Sequence, residues 1–156
     1  MSIRRFSRKQ RRRTRVLAVV AAVLAAEALW LVSEVVFGVH LQAPAGNGYP
    51  QPVAIAAGTV AIASGVLSLL GWGLLAGLER FTSRARGIWL GIALLALIGS
   101  LFMPLSGAGV TAANRAVLVL MHVVVAAIVI PALYRTSPRA ERPAGQPARV
   151  VIGVAA

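Results

Sequence analysis

The sequence predicts an all-α integral membrane protein, an antiparallel bundle of four transmembrane helices with both termini cytoplasmic. Three observations carry this. Hydrophobic residues make up 58% of the 156 and charged residues 13%, where a soluble domain carries roughly 25% charged residues. The charges lie almost wholly outside four long apolar stretches. The Lys and Arg clusters also fall only in the leader, the second connection and the tail, which is the positive-inside pattern.

The elements follow in order. Residues 1–15 hold Arg4, Arg5, Arg8, Lys9, Arg11, Arg12, Arg13 and Arg15. With no periodic apolar face, they read as a disordered basic cytoplasmic tail. Arg11, Arg12, Arg13 and Arg15 are expected to contact anionic lipid headgroups. The alternative, a signal peptide whose apolar region is 16–24, is disfavoured because apolar character resumes after Glu27 and no small-x-small site follows. The first span covers 16–37. Its aliphatic residues each favour insertion by a few tenths of a kcal/mol, which outweighs about 3 kcal/mol of opposition from a central acid. Residues 38–52, GVHLQAPAGNGYPQP, are turn-rich and uncharged and can pack over the outer mouth of the bundle, with His40 and Tyr49 interfacial. The second span, 53–78, carries Gly58, Gly65, Gly73 and Gly77. Gly73 and Gly77 form a GxxxG expected to serve helix packing within the bundle. Residues 79–86 (ERFTSRAR) form the cytoplasmic connection. A third span over 87–105 is ended by Pro104, and a small-residue turn precedes the fourth span at 114–134, with Pro131 in its last turn. Residues 135–156 are Arg- and Pro-rich and read as a disordered cytoplasmic tail.

Composition narrows the chemistry. The chain has no cysteine, and its four carboxylate side chains are Glu27, Glu34, Glu79 and Glu141. Thiolate metal sites and aspartyl chemistry are therefore absent. The net charge of +12 would suit nucleic acid, but its placement at membrane boundaries argues for lipid. An intramembrane hydrolase needs an activated serine beside a histidine, and IASG at Ser64 lacks the leading glycine of a rhomboid-type GxSG. A metal centre needs more than the one midplane histidine. No HExxH or phosphate-binding glycine loop occurs. The expectation is a chain that is not an enzyme and binds no cofactor or metal.

Ionisable residues inside apolar spans are the sharpest feature. Glu27 and Glu34 are seven residues apart, as are Arg115 and His122, so each pair shares a helix face about 10 Å apart. In an antiparallel first and fourth helix, Glu27 falls opposite His122 near the midplane and Glu34 opposite Arg115 nearer the outer surface. Trp30 and Leu118 fall between these layers. A charge in hydrocarbon either pairs or neutralises. These four residues are therefore expected to form two intramembrane polar pairs that fix helix register; the sharper reading makes Glu27 and His122 a proton relay.

YPQPVAI, GWGLLAGLER before a basic turn with Ile88 and Trp89, and LVLMHVVVAAIVIPAL together resemble an actinobacterial family of four-helix membrane proteins, domain of unknown function 6069. The resemblance covers residues 16–135. It implies a four-span bundle, transfers no catalytic residues, and draws attention to Met121, His122, Gly71, Trp72 and Gly73. The resulting expectation is a small non-enzymatic accessory or scaffold subunit of the bacterial plasma membrane, working as a homo-oligomer or with another membrane protein. The alternative is a proton-linked transporter or channel subunit.

Overall fold

The computed structural model describes residues 7–46 and 50–138. Four segments are long and apolar enough to cross a membrane: Arg8–Val36, Ala57–Phe81, Ala85–Ser106 and Ala112–Thr136. Large side chains such as Ile62, Leu67, Leu70, Leu95 and Ile98 are more than 60% exposed on the outside of the bundle. Water would not tolerate such a continuous apolar exterior, whereas hydrocarbon favours it.

Helix α1 spans Arg8–Leu31, eight residues earlier than the expected start of the first span. Residues 8–15 are therefore helical rather than a disordered tail. Ser7 caps the helix, its hydroxyl accepting the Gln10 N–H at 3.2 Å. The interior stripe of α1 is Arg15, Ala18, Ala22 and Ala26. These alanines let α1 lie close between α2 (Ala57–Phe81) and α5 (Ala112–Thr136). The last turn, Val32–Val36, widens to a π-helix. Gly38 then takes a left-handed conformation (φ 62°), and the Val39 N–H returns to the Ser33 carbonyl at 2.8 Å, closing the helix end.

The loop that follows is built rather than loose. Strands β1 (Gln42–Ala43) and β2 (Val53–Ala54) pair antiparallel, and Ala45 bridges Ala108. Val53 and Ala54, expected at the start of the second span, are thus in the cap, and α2 begins four residues later. Gly107 is buried where the two loops at this end of the bundle cross. A Cβ there would collide with the Pro44 ring and lie 2.8 Å from the Met103 carbonyl oxygen.

The third span is jointed. Helix α3 (Ala85–Ser100) ends at Leu101, and α4 (Phe102–Ser106) resumes at once. Pro104 has no N–H for the Ser100 carbonyl and its ring crowds that carbonyl, so the break falls one turn before it. Helix α3 packs on α2 and α5, and its buried residues, Ala85 and Trp89, lie in its first five positions. The interior divides into two layers. Ala22, Leu75, Trp89, Val129 and Leu133 fill one. Ala26, Leu41, Val60, Leu118 and Met121 fill the other, with Trp30 packed against them, so Trp30 and Leu118 do share a seam.

Residues 1–6, 47–49 and 139–156 lie outside the described residues, and with them the interfacial role expected of Tyr49 and most of the expected C-terminal tail.

Candidate functional site

Polar side chains gather at three depths: the end bearing Arg15, the middle, and the end bearing the loops. The first was not foreseen. Arg15, expected at the lipid headgroups, is 6% exposed and buried among three helices. Its guanidinium grips Glu79 of α2 with both terminal nitrogens, at 2.6 and 3.3 Å. Its Nε donates to Thr136 Oγ1 of α5 at 3.0 Å, and a terminal nitrogen reaches the Thr136 carbonyl at 3.3 Å. The planar fork suits a carboxylate and leaves a third direction for the hydroxyl. Nearby, Arg86 stacks 3.6 Å from the centre of the Tyr134 ring, and Trp89 Nε1 donates to the Gly71 carbonyl at 2.8 Å. These contacts tie α3 to α5 and α2. The polar spacing of Arg15 on the same stripe as Ala18 and Ala22 was the signal for this clasp.

The middle layer holds Glu27 and His122. No hydrogen bond or ion pair joins them. Glu27 Oε1 is buried without a partner among the described residues, as is the Ser68 hydroxyl of α2. His122 Nδ1 lies 2.7 Å from the Leu118 carbonyl one turn back. A carbonyl only accepts, so Nδ1 carries a proton and donates it to the Leu118 carbonyl. His122 thus bonds within its own helix. Ser64 does the same, donating to the Val60 carbonyl at 2.7 Å.

At the loop end, the expected Glu34–Arg115 pair is replaced by two loop clamps. Glu34 accepts the Leu41 N–H at 2.7 Å and meets His40 Nδ1 at 2.8 Å. Arg115 donates to the carbonyls of Leu105 and Gly107, each at 2.8 Å. The π-turn carries Glu34 towards its own descending loop, where unpaired backbone groups compete successfully for it. Beside them the buried Asn114 amide accepts the Gln42 N–H at 2.8 Å and donates to the Gln42 carbonyl at 2.9 Å. That side chain acts as one residue of an additional strand. Trp30 Nε1 closes the cap on the Ile55 carbonyl at 2.8 Å.

Gly73 and Gly77 do not serve packing inside this chain, since a Cβ at either meets nothing within 4 Å. The glycine that faces α1 is Gly65, where a Cβ would touch Val23 at 3.6 Å. Arg11, Arg12 and Arg13 lie on the first turns of α1, Arg12 and Arg13 exposed and Arg11 half-buried. No group of three or more metal-ligating side chains occurs among the described residues.

No curated protein matches the chain, and no solved structure does. A family model does, described as a family of unknown function (DUF6069), over residues 6–139. That match takes in every helix and both capping loops, so this four-helix chain belongs to the DUF6069 family.

Proposed function

We propose that the protein is a non-enzymatic accessory or scaffold subunit of the bacterial plasma membrane. It works through helix contacts with a second copy of itself or with another membrane protein, with both termini cytoplasmic. The observation that carries this reading is the open space at Gly73 and Gly77. Together with exposed Leu70 they form one face of α2 by spacing. Small residues on an uncovered helix face permit close approach of another helix. The orientation is supported by the exposed Arg80, Arg84 and Arg135, which gather with Arg12 and Arg13 at the Arg15 end.

A photo-crosslinking residue at Leu70 tests this in intact cells. Protein adducts are expected in the native background and should fall at least tenfold in Gly73→Leu/Gly77→Leu. A Cβ at either position meets nothing within 4 Å, so the melting temperature should not drop. Adducts to lipid alone, or protein adducts indifferent to the two leucines, would remove the reading.

One observation favours a proton-linked role as the second reading: the buried, unpartnered Glu27 Oε1. Intramembrane acids commonly mark ion pathways, and an imidazole such as that of His122 is a side chain that can relay a proton. Proteoliposomes should then show proton flux that is lost in Glu27→Gln at equal insertion. No flux in either protein leaves Glu27 a structural residue.

A further inference from the structure

The first two turns of α1 carry a polar pattern as regular as the apolar one below it. Arg8, Arg11, Arg12 and Arg15 follow the i, i+3, i+4, i+7 spacing of a single helix face. That face continues as Ala18, Ala22 and Ala26 into the bundle interior. Where the bundle ends, the interior face of α1 therefore emerges as a row of guanidinium groups above α2. With Trp72 and Glu79 of α2 they line an open cleft of about 320 Å³. Arg15 is spent on Glu79, so the pair is neutral and the charge of the cleft is that of Arg8, Arg11 and Arg12. Glu79 is the one carboxylate lining it. Three like charges on one helix face repel one another, and an anion seated among them relieves that repulsion.

A second cleft, of about 610 Å³, lies on the other side of the same ridge and is lined by Arg8, Lys9, Arg12, Arg13, Val16 and Leu17. Arg8 and Arg12 thus border both clefts. One turn below Arg12, Val16 and Leu17 provide an apolar wall, 43% and 56% exposed. Trp72 adds an aromatic ring on the other side. A basic rim directly above apolar walls matches a molecule with an anionic head and a hydrocarbon tail, and inorganic phosphate would use only the rim.

We propose that Arg8, Arg11 and Arg12 form a binding site for the phosphodiester headgroup of an anionic phospholipid, its acyl chain lying along Val16 and Leu17. Guanidinium groups bind phosphate oxygens in a forked geometry, and basic pockets between helices at a membrane surface are suited to such headgroups. The surplus of positive charge selects a net-anionic lipid over a zwitterionic one. This site is independent of the helix-contact role above, since it lies on α1 and the α2 turns facing it.

Binding of dioleoyl phosphatidylglycerol to the detergent-solubilised full chain can be counted by native mass spectrometry, with dioleoyl phosphatidylcholine as comparison. Arg8→Gln/Arg11→Gln/Arg12→Gln is expected to weaken phosphatidylglycerol binding at least tenfold. Arg80→Gln/Arg84→Gln/Arg135→Gln removes the same charge from exposed positions at the same end and should stay within twofold of native. Arg15 is kept in both variants, and helicity and melting temperature check that both remain folded. Equal losses in the two variants would replace the site by diffuse attraction, and no loss in the first would remove it. Competition by millimolar inorganic phosphate separates the two sources: lipid retained supports the proposal, and lipid displaced one for one assigns the rim to free phosphate and overturns it.

Discussion

Arg15→Leu is expected to destabilise the bundle by about 3–5 kcal/mol, because it strands the Glu79 carboxylate, 19% exposed, between helices. Residual exposure of Glu79 lets solvent absorb part of this, so the lower half of the range is expected. Glu79→Leu should be comparably harmful, since it leaves the guanidinium with only Thr136. The double variant should recover most of the loss, because no stranded charge remains and the leucines fill similar volume. Arg15→Lys should rescue poorly. A single ammonium cannot span both Glu79 oxygens while also reaching Thr136 Oγ1. Steric-trapping or reversible thermal measurements in one detergent would supply the cycle. Strict additivity of the two single effects would show that the contact couples nothing.

Asn114→Leu should be the next most damaging change, by about 2–4 kcal/mol, as it leaves both the N–H and the carbonyl of Gln42 without their partners. The loss should be local before it is global. Hydrogen exchange at the Gln42 amide is expected to quicken at least tenfold under conditions where α2 amides are unchanged. Thr111 would still cap α5, since its hydroxyl accepts the backbone N–H of residue 114 at 3.2 Å. Unaltered protection at Gln42 would mean that the strand pairing of β1 with β2 holds the cap without the amide.

The four spans were legible in the sequence because a chain in hydrocarbon must satisfy its backbone within helices. Their length and hydropathy follow from that single constraint. The start of α1 was hidden because its first two turns keep helical periodicity in arginine rather than in apolar residues. The Ser7-x-x-Gln10 capping pattern was the available signal. The polar pairs failed for a different reason. Matching Glu34 with Arg115 by index treats the helix ends as straight rods that face only each other. At the loop end, backbone groups at Leu41, Leu105 and Gly107 take the hydrogen bonds of these two side chains instead. His122 likewise bonds to a backbone carbonyl, that of Leu118. Exchange of Glu34 and Arg115 therefore has no basis for mutual rescue. Gly73 and Gly77 were legible as a close-approach motif, but a GxxxG does not say which helix approaches.

The joint at Leu101 has a consequence for how the protein meets bilayers of different thickness. Helices α2 and α5 have 25 residues each, about 37 Å of rise, and can span a hydrocarbon layer of about 30 Å with length to spare. Helix α3 has 16, about 24 Å, and reaches across only with the help of α4 beyond the break. Arg15 fixes α1, α2 and α5 to one another as a unit of constant height. The third span is an articulated member fastened at Trp89 and at the Arg115 clamp. Thickness mismatch, which a rigid bundle would have to take up by tilting as a whole, can therefore be absorbed by bending at this one elbow, leaving the other three helices upright.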